Sequence, residues 1–314
     1  MVPNVKETEM ITKLVPKSAQ RWLRTRIENI ARDVKIPLIE NMVRDDKFPF
    51  AKMKYIPYKF PSDSFVIPKS RKLNCETCGS GLAIPPTELW FGMAATKEEY
   101  IASGEKHVSM MLELLRASGF SFSKGDRILD FGCGTGRMIR HLANVSESCE
   151  IWGTDVHAES IYWCNQHLNP PFHFATTTTI PHLPFGDSYF KLIYGGSIFT
   201  HIDDLAEAWL LELRRILSPD GRLYVTIHDN RSIELLEACR NEDFFLAELL
   251  KTNDLYIQSK SNLGMLAIGR DIHAQVFYNI DYFSKMLSPT YQILSITKEA
   301  YGYQTAVLVK PRSA

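Results

Sequence analysis

The stretch best suited to chemistry runs Asp130, Phe131, Gly132, Cys133, Gly134, Thr135, Gly136, Arg137. Glycines at this spacing let a chain turn tightly and bring its backbone N–H groups close to a ligand. A nicotinamide dinucleotide turn spaces its glycines G-x-G-x-x-G to match a pyrophosphate. Here the spacing is G-x-G-x-G, with an acid two residues ahead of the first glycine. That pattern suits a ligand with an ammonium group and no phosphates, and it disfavours an NAD-linked oxidoreductase. Asp155 stands 19 residues after Gly136. A carboxylate at the end of a strand there accepts both hydrogen bonds of a ribose diol, or else caps the following helix. Together the two features describe a nucleoside with an amino-acid tail.

Such residues need a frame, and the surrounding pattern supplies one. RILDF (127–131), EIWGTD (150–155), FHFAT (172–176), FKLIYGG (190–196) and RLYVTIH (222–228) read as strands. Helices are predicted over 137–144, 157–168 and 203–217, and alternating strands and helices imply βαβ units. Residues 291–297 and 302–310 read as two further strands, an antiparallel hairpin at the sheet edge. The expected fold is α/β: a doubly wound, mostly parallel seven-stranded sheet with an N-terminal extension and an insertion at 231–279, after the fifth strand. The expected division is an N-terminal arm over 1–90 and a catalytic domain over 91–314.

Within the extension, Trp22, Leu23, Ile27, Ile30, Ala31 and Val34 give 18–34 helical periodicity. A shorter helix is expected after Pro37, through about Arg44. Six prolines in 48–86 predict an extended arm with aromatic anchors. Thr96 and Glu99 form a capping box that opens a helix over 96–118, broken or kinked near Gly104 and ending at Gly119.

Composition narrows the class. The 314 residues are 45% hydrophobic and 23% charged, enough for a full core, and Lys+Arg and Asp+Glu balance at 36 each. No apolar run approaches the roughly 18 residues that cross a bilayer. The first 20 residues carry no signal-like apolar core. The expectation is a cytoplasmic protein without a membrane partner. The balance hides an asymmetry, since residues 1–74 hold 16 Lys/Arg against 8 Asp/Glu. This basic piece meets an acidic partner or a phosphate backbone, or docks on its own acidic remainder. Cys75 and Cys78 form one C-x-x-C without the second pair a zinc ribbon needs, so no metal is expected.

The strings ILDFGCGTGR, GTD, LPFGDSYFKLIYGGSIFTHI and AWLLELRRILSPDGRLYVTIH, in this order, resemble the class I S-adenosylmethionine-dependent methyltransferases. The resemblance covers roughly 85–230 and returns at 276–310 in FYNIDYFSKML and GYQTAVLVKP. It implies S-adenosyl-L-methionine as cofactor, with Asp130, Gly132, Cys133, Gly134 and Gly136 around its methionine part and Asp155 on its ribose. Val156 would pack on the adenine. Thr179, Ile180 and nearby backbone would meet its other side, where many members carry an Asp. Gly195, Gly196 and Ser197 would line the methyl-transfer face. Two histidines are candidate bases, His201 in FTHI and His228 past the fifth strand, because an imidazole titrates near neutrality. His107 is assigned to surface or packing, and Arg137 and Arg140 to the helix after the glycine turn or to ion pairs.

The implied activity is methyl transfer to oxygen or nitrogen of a small molecule, with the arm and the insertion forming a lid. Two alternatives stand beside it. One is an RNA or protein acceptor recruited by the basic, aromatic arm. The other is a non-catalytic binding protein on the same fold.

Overall fold

The central sheet in the computed structural model of the chain has seven strands: β1 Arg127–Phe131, β2 Glu150–Asp155, β3 His173–Thr176, β4 Phe190–Gly195, β5 Leu217–Ile227, β6 Tyr291–Tyr301 and β7 Gln304–Pro311. The structure describes residues 76–77, 81–239, 244–270 and 274–312. By compactness the chain divides into Met1–Lys54 and Tyr55–Ala314. The helices expected within 18–44, the extended arm before residue 76, and Cys75 and Cys78 lie outside the described residues.

The strand order is β6-β7-β5-β4-β1-β2-β3. β7 runs antiparallel to both its neighbours, and the other pairs are parallel. The hairpin expected at the edge is therefore present, with β7 slotted between β6 and β5. Chain order reverses where β1 lies between β2 and β4, and open α/β sheets bind ligands beyond their strand ends at such a point.

Side chains alternate across a strand, so successive residues of β1 serve different cores. Ile128 packs with Val108, Met111 and Leu115 of helix α1 (Lys97–Ala117) and with Trp163 of α2 (Ala158–His167). Leu129 packs with Leu210 and Leu213 of α3 (Ala206–Ile216) on the opposite face. Both core faces are apolar, which is why the central strands read as nearly continuous hydrophobic runs.

The insertion supplies α4 (Asn230–Ala238), α5 (Phe245–Lys251) and α6 (Asp254–Ser259). It ends in an antiparallel ribbon of Met265–Ile268 with Gln275–Tyr278. Ile233, Leu236, Leu246, Leu250, Tyr256 and Phe277 form a third apolar cluster there. Helix α7 (Ile280–Leu287) then returns the chain to the sheet. No helix among the described residues is long and apolar enough to cross a membrane.

Three local features differ from the sequence reading. Helix α1 is continuous through Gly104; its Thr96 cap accepts from Glu99 N at 3.2 Å. A Cβ at Gly104 would sit 2.2 Å from the Arg137 carbonyl oxygen, so this glycine serves close approach rather than a break. Gly104→Ala should therefore lower stability by about 1–3 kcal/mol, although alanine favours helix by about 1 kcal/mol. A thermal melt reads the sign, and a raised midpoint would show that the loop yields easily.

The predicted helix over 137–144 is instead a run of turns with a 3₁₀ segment at Ile139–Leu142. The Arg140 side chain explains it. Arg140 Nε donates to the Gly136 carbonyl at 3.1 Å, whereas its backbone N–H reaches that oxygen only at 3.4 Å.

Finally, the segment 83–90, grouped with the extension on sequence, packs into the domain. Arg140 Nη2 donates to Ala83 O at 2.7 Å, Thr135 Oγ1 donates to Leu89 O at 3.1 Å, and Trp90 stacks on Tyr100.

Candidate active site

The glycine turn is held from below by β2. Gly132 N and Cys133 N donate to the Thr154 carbonyl at 2.7 and 3.0 Å. Gly134 N donates to Asp155 Oδ2 at 2.8 Å, and the other carboxylate oxygen accepts from His157 N at 2.8 Å. Asp155 thus knits the turn to the start of α2. Each carboxylate oxygen has two lone-pair sites, so acceptor capacity remains for a ligand diol. Burial raises the Asp155 pKa, and the N–H groups of His157 and Gly134 pull it back.

Gly132 adopts φ +80, and a Cβ there would lie 2.0 Å from Ile198 Cδ1. At Gly134 (φ +53) a Cβ would meet nothing within 4 Å. Gly136 turns away, with a Cβ 2.7 Å from Leu168 Cδ1, so it packs the turn on the segment after α2.

A cleft of about 890 Å³ opens at the strand ends around this turn. Asp130, Gly132, Cys133, Gly134, Asp155, Val156, Thr179, Gly196, Ser197 and His201 all line it. Gly136, Ile180, Gly195 and His228 are not among its lining residues. Ile180 points to solvent at 66% exposure.

Asp130 is buried, and its Oδ2 has no hydrogen-bond partner among the described residues. Burial pushes its carboxyl up to about 7; the Tyr194 hydroxyl and the Arg137 charge act in the opposite direction. Cys133 contributes a buried thiol pushed well up by burial, aimed at the Gly134 carbonyl.

The two candidate bases separate clearly. His201 Nδ1 lies 2.8 Å from the Ala274 carbonyl, which only accepts. In the neutral ring the proton therefore sits on Nδ1, and Nε2 is the basic nitrogen. His228 is buried between Phe277 and Tyr303, with ring centroids at 5.0 and 5.4 Å. Burial lowers its pKa to about 3. The ribbon strand covers it, since Tyr278 N donates to the His228 carbonyl at 2.8 Å. A strand-end position alone does not bring His228 into the cleft.

Several lining residues escaped the sequence reading. Trp90, Phe91 and Met93 form a wall just ahead of the α1 cap, and the run Leu89-Trp90-Phe91 before the capping box was the signal available. Phe245, Arg270 and Gln275 reach in from the insertion. Arg137 and Tyr301 also line the cleft, and they meet His107 behind it. Arg137 Nη2 donates to the Tyr301 hydroxyl and Nη1 lies 3.1 Å from His107 Nδ1. The His107 ring stacks on Tyr301 at 3.8 Å. Burial, with the adjacent Arg137 charge, brings the His107 pKa down to about 3, so its ring is a neutral acceptor.

Comparison with known proteins places this geometry. Residues 129–225 match a family model described as a methyltransferase domain. The chain is 34% identical over 111 residues to a ubiquinone/menaquinone biosynthesis C-methyltransferase of Neisseria meningitidis, covering 32% of this chain and 42% of that protein. It is 26% identical over 133 residues to a malonyl-(acyl-carrier protein) O-methyltransferase of Hahella chejuensis, covering 42% and 46% respectively. The chain thus spans less than half the length of these curated relatives. Among solved structures, the PH0226 protein of Pyrococcus horikoshii OT3 shares the fold, with a TM-score of 0.50 and 16% identity over 72% of this chain and 99% of that one. A methyltransferase domain thus lies across β1 to β5 of this sheet, and the chain is similar there to S-adenosylmethionine-dependent methyltransferases.

Proposed function

We propose that the cleft binds S-adenosyl-L-methionine and that the chain transfers its methyl group to oxygen or nitrogen of a small molecule. The observation that carries this reading is the pair of carboxylates flanking the glycine turn. Asp130 offers a buried acceptor atom with no partner among the described residues, suited to an ammonium group. Asp155 offers the remaining lone pairs of a carboxylate already fixed by two backbone N–H groups, suited to a diol. The cleft volume accommodates a nucleoside with an amino-acid tail, so the residues fit the cofactor.

When bound, the cofactor supplies a methyl carbon on a sulfonium for in-line displacement. The chain's part is positioning and proton removal. Gly132 and Gly134 keep the floor free of side chains. Phe91, Ile198, Ile202 and Phe245 give the cleft apolar walls. His201 Nε2 takes the proton of a hydroxyl or ammonium acceptor while Nδ1 stays on the Ala274 carbonyl. The curated relatives are named for a C-methyl and an O-methyl transfer, so likeness to them does not choose the atom. A base in the cleft favours an acceptor that must lose a proton. Phe245, Arg270 and Gln275 make the insertion part of the acceptor wall.

Calorimetric titration with S-adenosylhomocysteine, with NAD as control, tests the cofactor assignment. Selective binding is expected, and equal or absent binding of the two would overturn it. The pH dependence adds a second check. Because burial raises the Asp130 carboxyl to about 7, it is largely protonated at lower pH and offers an ammonium little charge. Affinity should rise by up to about tenfold per pH unit below that value and level off above it. In Asp130→Asn the slope should vanish; a slope that survives would place the titrating group elsewhere. The ligand-free fold responds with the opposite sign. Native Asp130 holds a proton that the unfolded chain releases, so its contribution to stability is full below about pH 4 and declines as pH rises through about 7.

A further inference from the structure

Ser197 lines the cleft in a conformation that L-residues avoid, with φ +61. Such a backbone costs on the order of 1–3 kcal/mol and persists only where its surroundings enforce it. The enforcement comes from the two strands behind the turn 196–201. Ser197 N donates to Thr226 Oγ1 of β5 at 2.7 Å. Thr226 Oγ1 donates to Gln304 Oε1 at 2.6 Å, and Gln304 Nε2, from the first residue of β7, donates to Ser197 Oγ at 2.8 Å. Ser197 Oγ lies 3.0 Å from Thr200 Oγ1, which donates to the Ser197 carbonyl at 2.9 Å.

These bonds fix one direction of proton donation. Thr226 accepts from Ser197 N and gives to Gln304. Ser197 Oγ accepts from Gln304 and gives to Thr200, and Thr200 gives to the Ser197 carbonyl. Each hydroxyl in the circuit accepts once and donates once, which uses its single proton. Ser197, Thr200, Thr226 and Gln304 are all buried, so a broken link would leave polar atoms without water to replace it. The amide is the one member with a donor and an acceptor on separate atoms, and it bridges the two hydroxyls from outside the cleft.

The far end of the same turn carries His201. His201 N donates to Ile198 O at 2.9 Å, and Val276 N donates to Thr200 O at 2.8 Å. We infer that Gln304 is a positioning residue: its amide fixes the turn 196–201 and thereby sets where Ser197 and the His201 imidazole stand in the cleft. The functional meaning of that role rests on the methyl-transfer reading above, but its test does not.

The test uses the full chain labelled with ¹⁵N, with His201 resonances assigned through His201→Gln. In Gln304→Met, amide exchange at Ser197 and His201 should rise by about tenfold, the equivalent of one net hydrogen bond of about 1.4 kcal/mol. The His201 ring should lose its single Nδ1-protonated form and show both tautomers. S-adenosylhomocysteine affinity should stay within about threefold. Thr226→Ser, which keeps the hydroxyl, should match the parent, and Thr226→Val should reproduce the His201 changes. Combining Thr226→Val with Gln304→Met should add less than the sum, as expected for members of one circuit.

An unchanged His201 ring in both Gln304→Met and Thr226→Val would overturn the inference. So would exchange that rises equally across β1 and β4, which marks general loosening. If Gln304→Met fails to fold, the two Thr226 variants decide alone. Loss of ligand binding by the parent chain would count against the cofactor assignment and leave the exchange and ring measurements to judge Gln304.

Discussion

Asp155→Ala should weaken S-adenosylhomocysteine binding by about 100-fold. Two hydrogen bonds from a diol to a charged acceptor contribute roughly 1.5–3 kcal/mol each, so losing them alone accounts for that factor. The substitution also frees Gly134 N and His157 N, both held at 2.8 Å by the same carboxylate. Asp155→Asn separates the two effects. Its amide oxygen still accepts from one N–H, so it should retain more of the melting temperature than Asp155→Ala while binding ligand poorly. Calorimetry and a thermal melt on both variants give the answer. A dissociation constant unchanged in Asp155→Ala would remove the ribose from this position.

His201→Ala should lower methyl transfer by about 10²- to 10⁴-fold, the usual contribution of a positioned base, and leave S-adenosylhomocysteine affinity within about twofold. The split follows from geometry. His201 lines the cleft from the turn after β4, whereas Asp130, Gly134 and Asp155 sit at the ends of β1 and β2. Turnover is measured with an acceptor found by screening small molecules for uptake of a labelled methyl group. Normal turnover at every pH would make His201 an anchor for the Ala274 carbonyl and nothing more.

Residues 127–131 and 150–155 are strands in the structure to the residue, because their apolar runs and flanking turns act locally. The convergence of the glycine turn and Asp155 was legible for the same reason: both lie within one βαβ unit. What sequence could not show depends on partners far along the chain. The 137–144 stretch has helical composition, yet Arg140 spends its guanidinium on Gly136 O and Ala83 O, and no local pattern predicts that. Gly104 reads as a helix breaker until the Arg137 carbonyl is placed against it. His228 stands at a strand end as a catalytic residue would, and only the ribbon from the insertion reveals that it is covered. The cleft wall of Phe91, Phe245 and Arg270 draws on segments more than a hundred residues apart, with no shared motif to announce them.

The third apolar cluster bears on how such a protein diversifies. Ile233, Leu246, Leu250 and Phe277 belong to a core distinct from the two that cover the sheet. The residues the insertion sends into the cleft stand at its margin, with Phe245 at 70% exposure. Changes at Phe245, Arg270 or Gln275 therefore meet little resistance from the packing beneath β1 and β2. On the proposed function, selection can rewrite what is methylated at one wall while the donor's seat, built on different strands, is inherited unaltered.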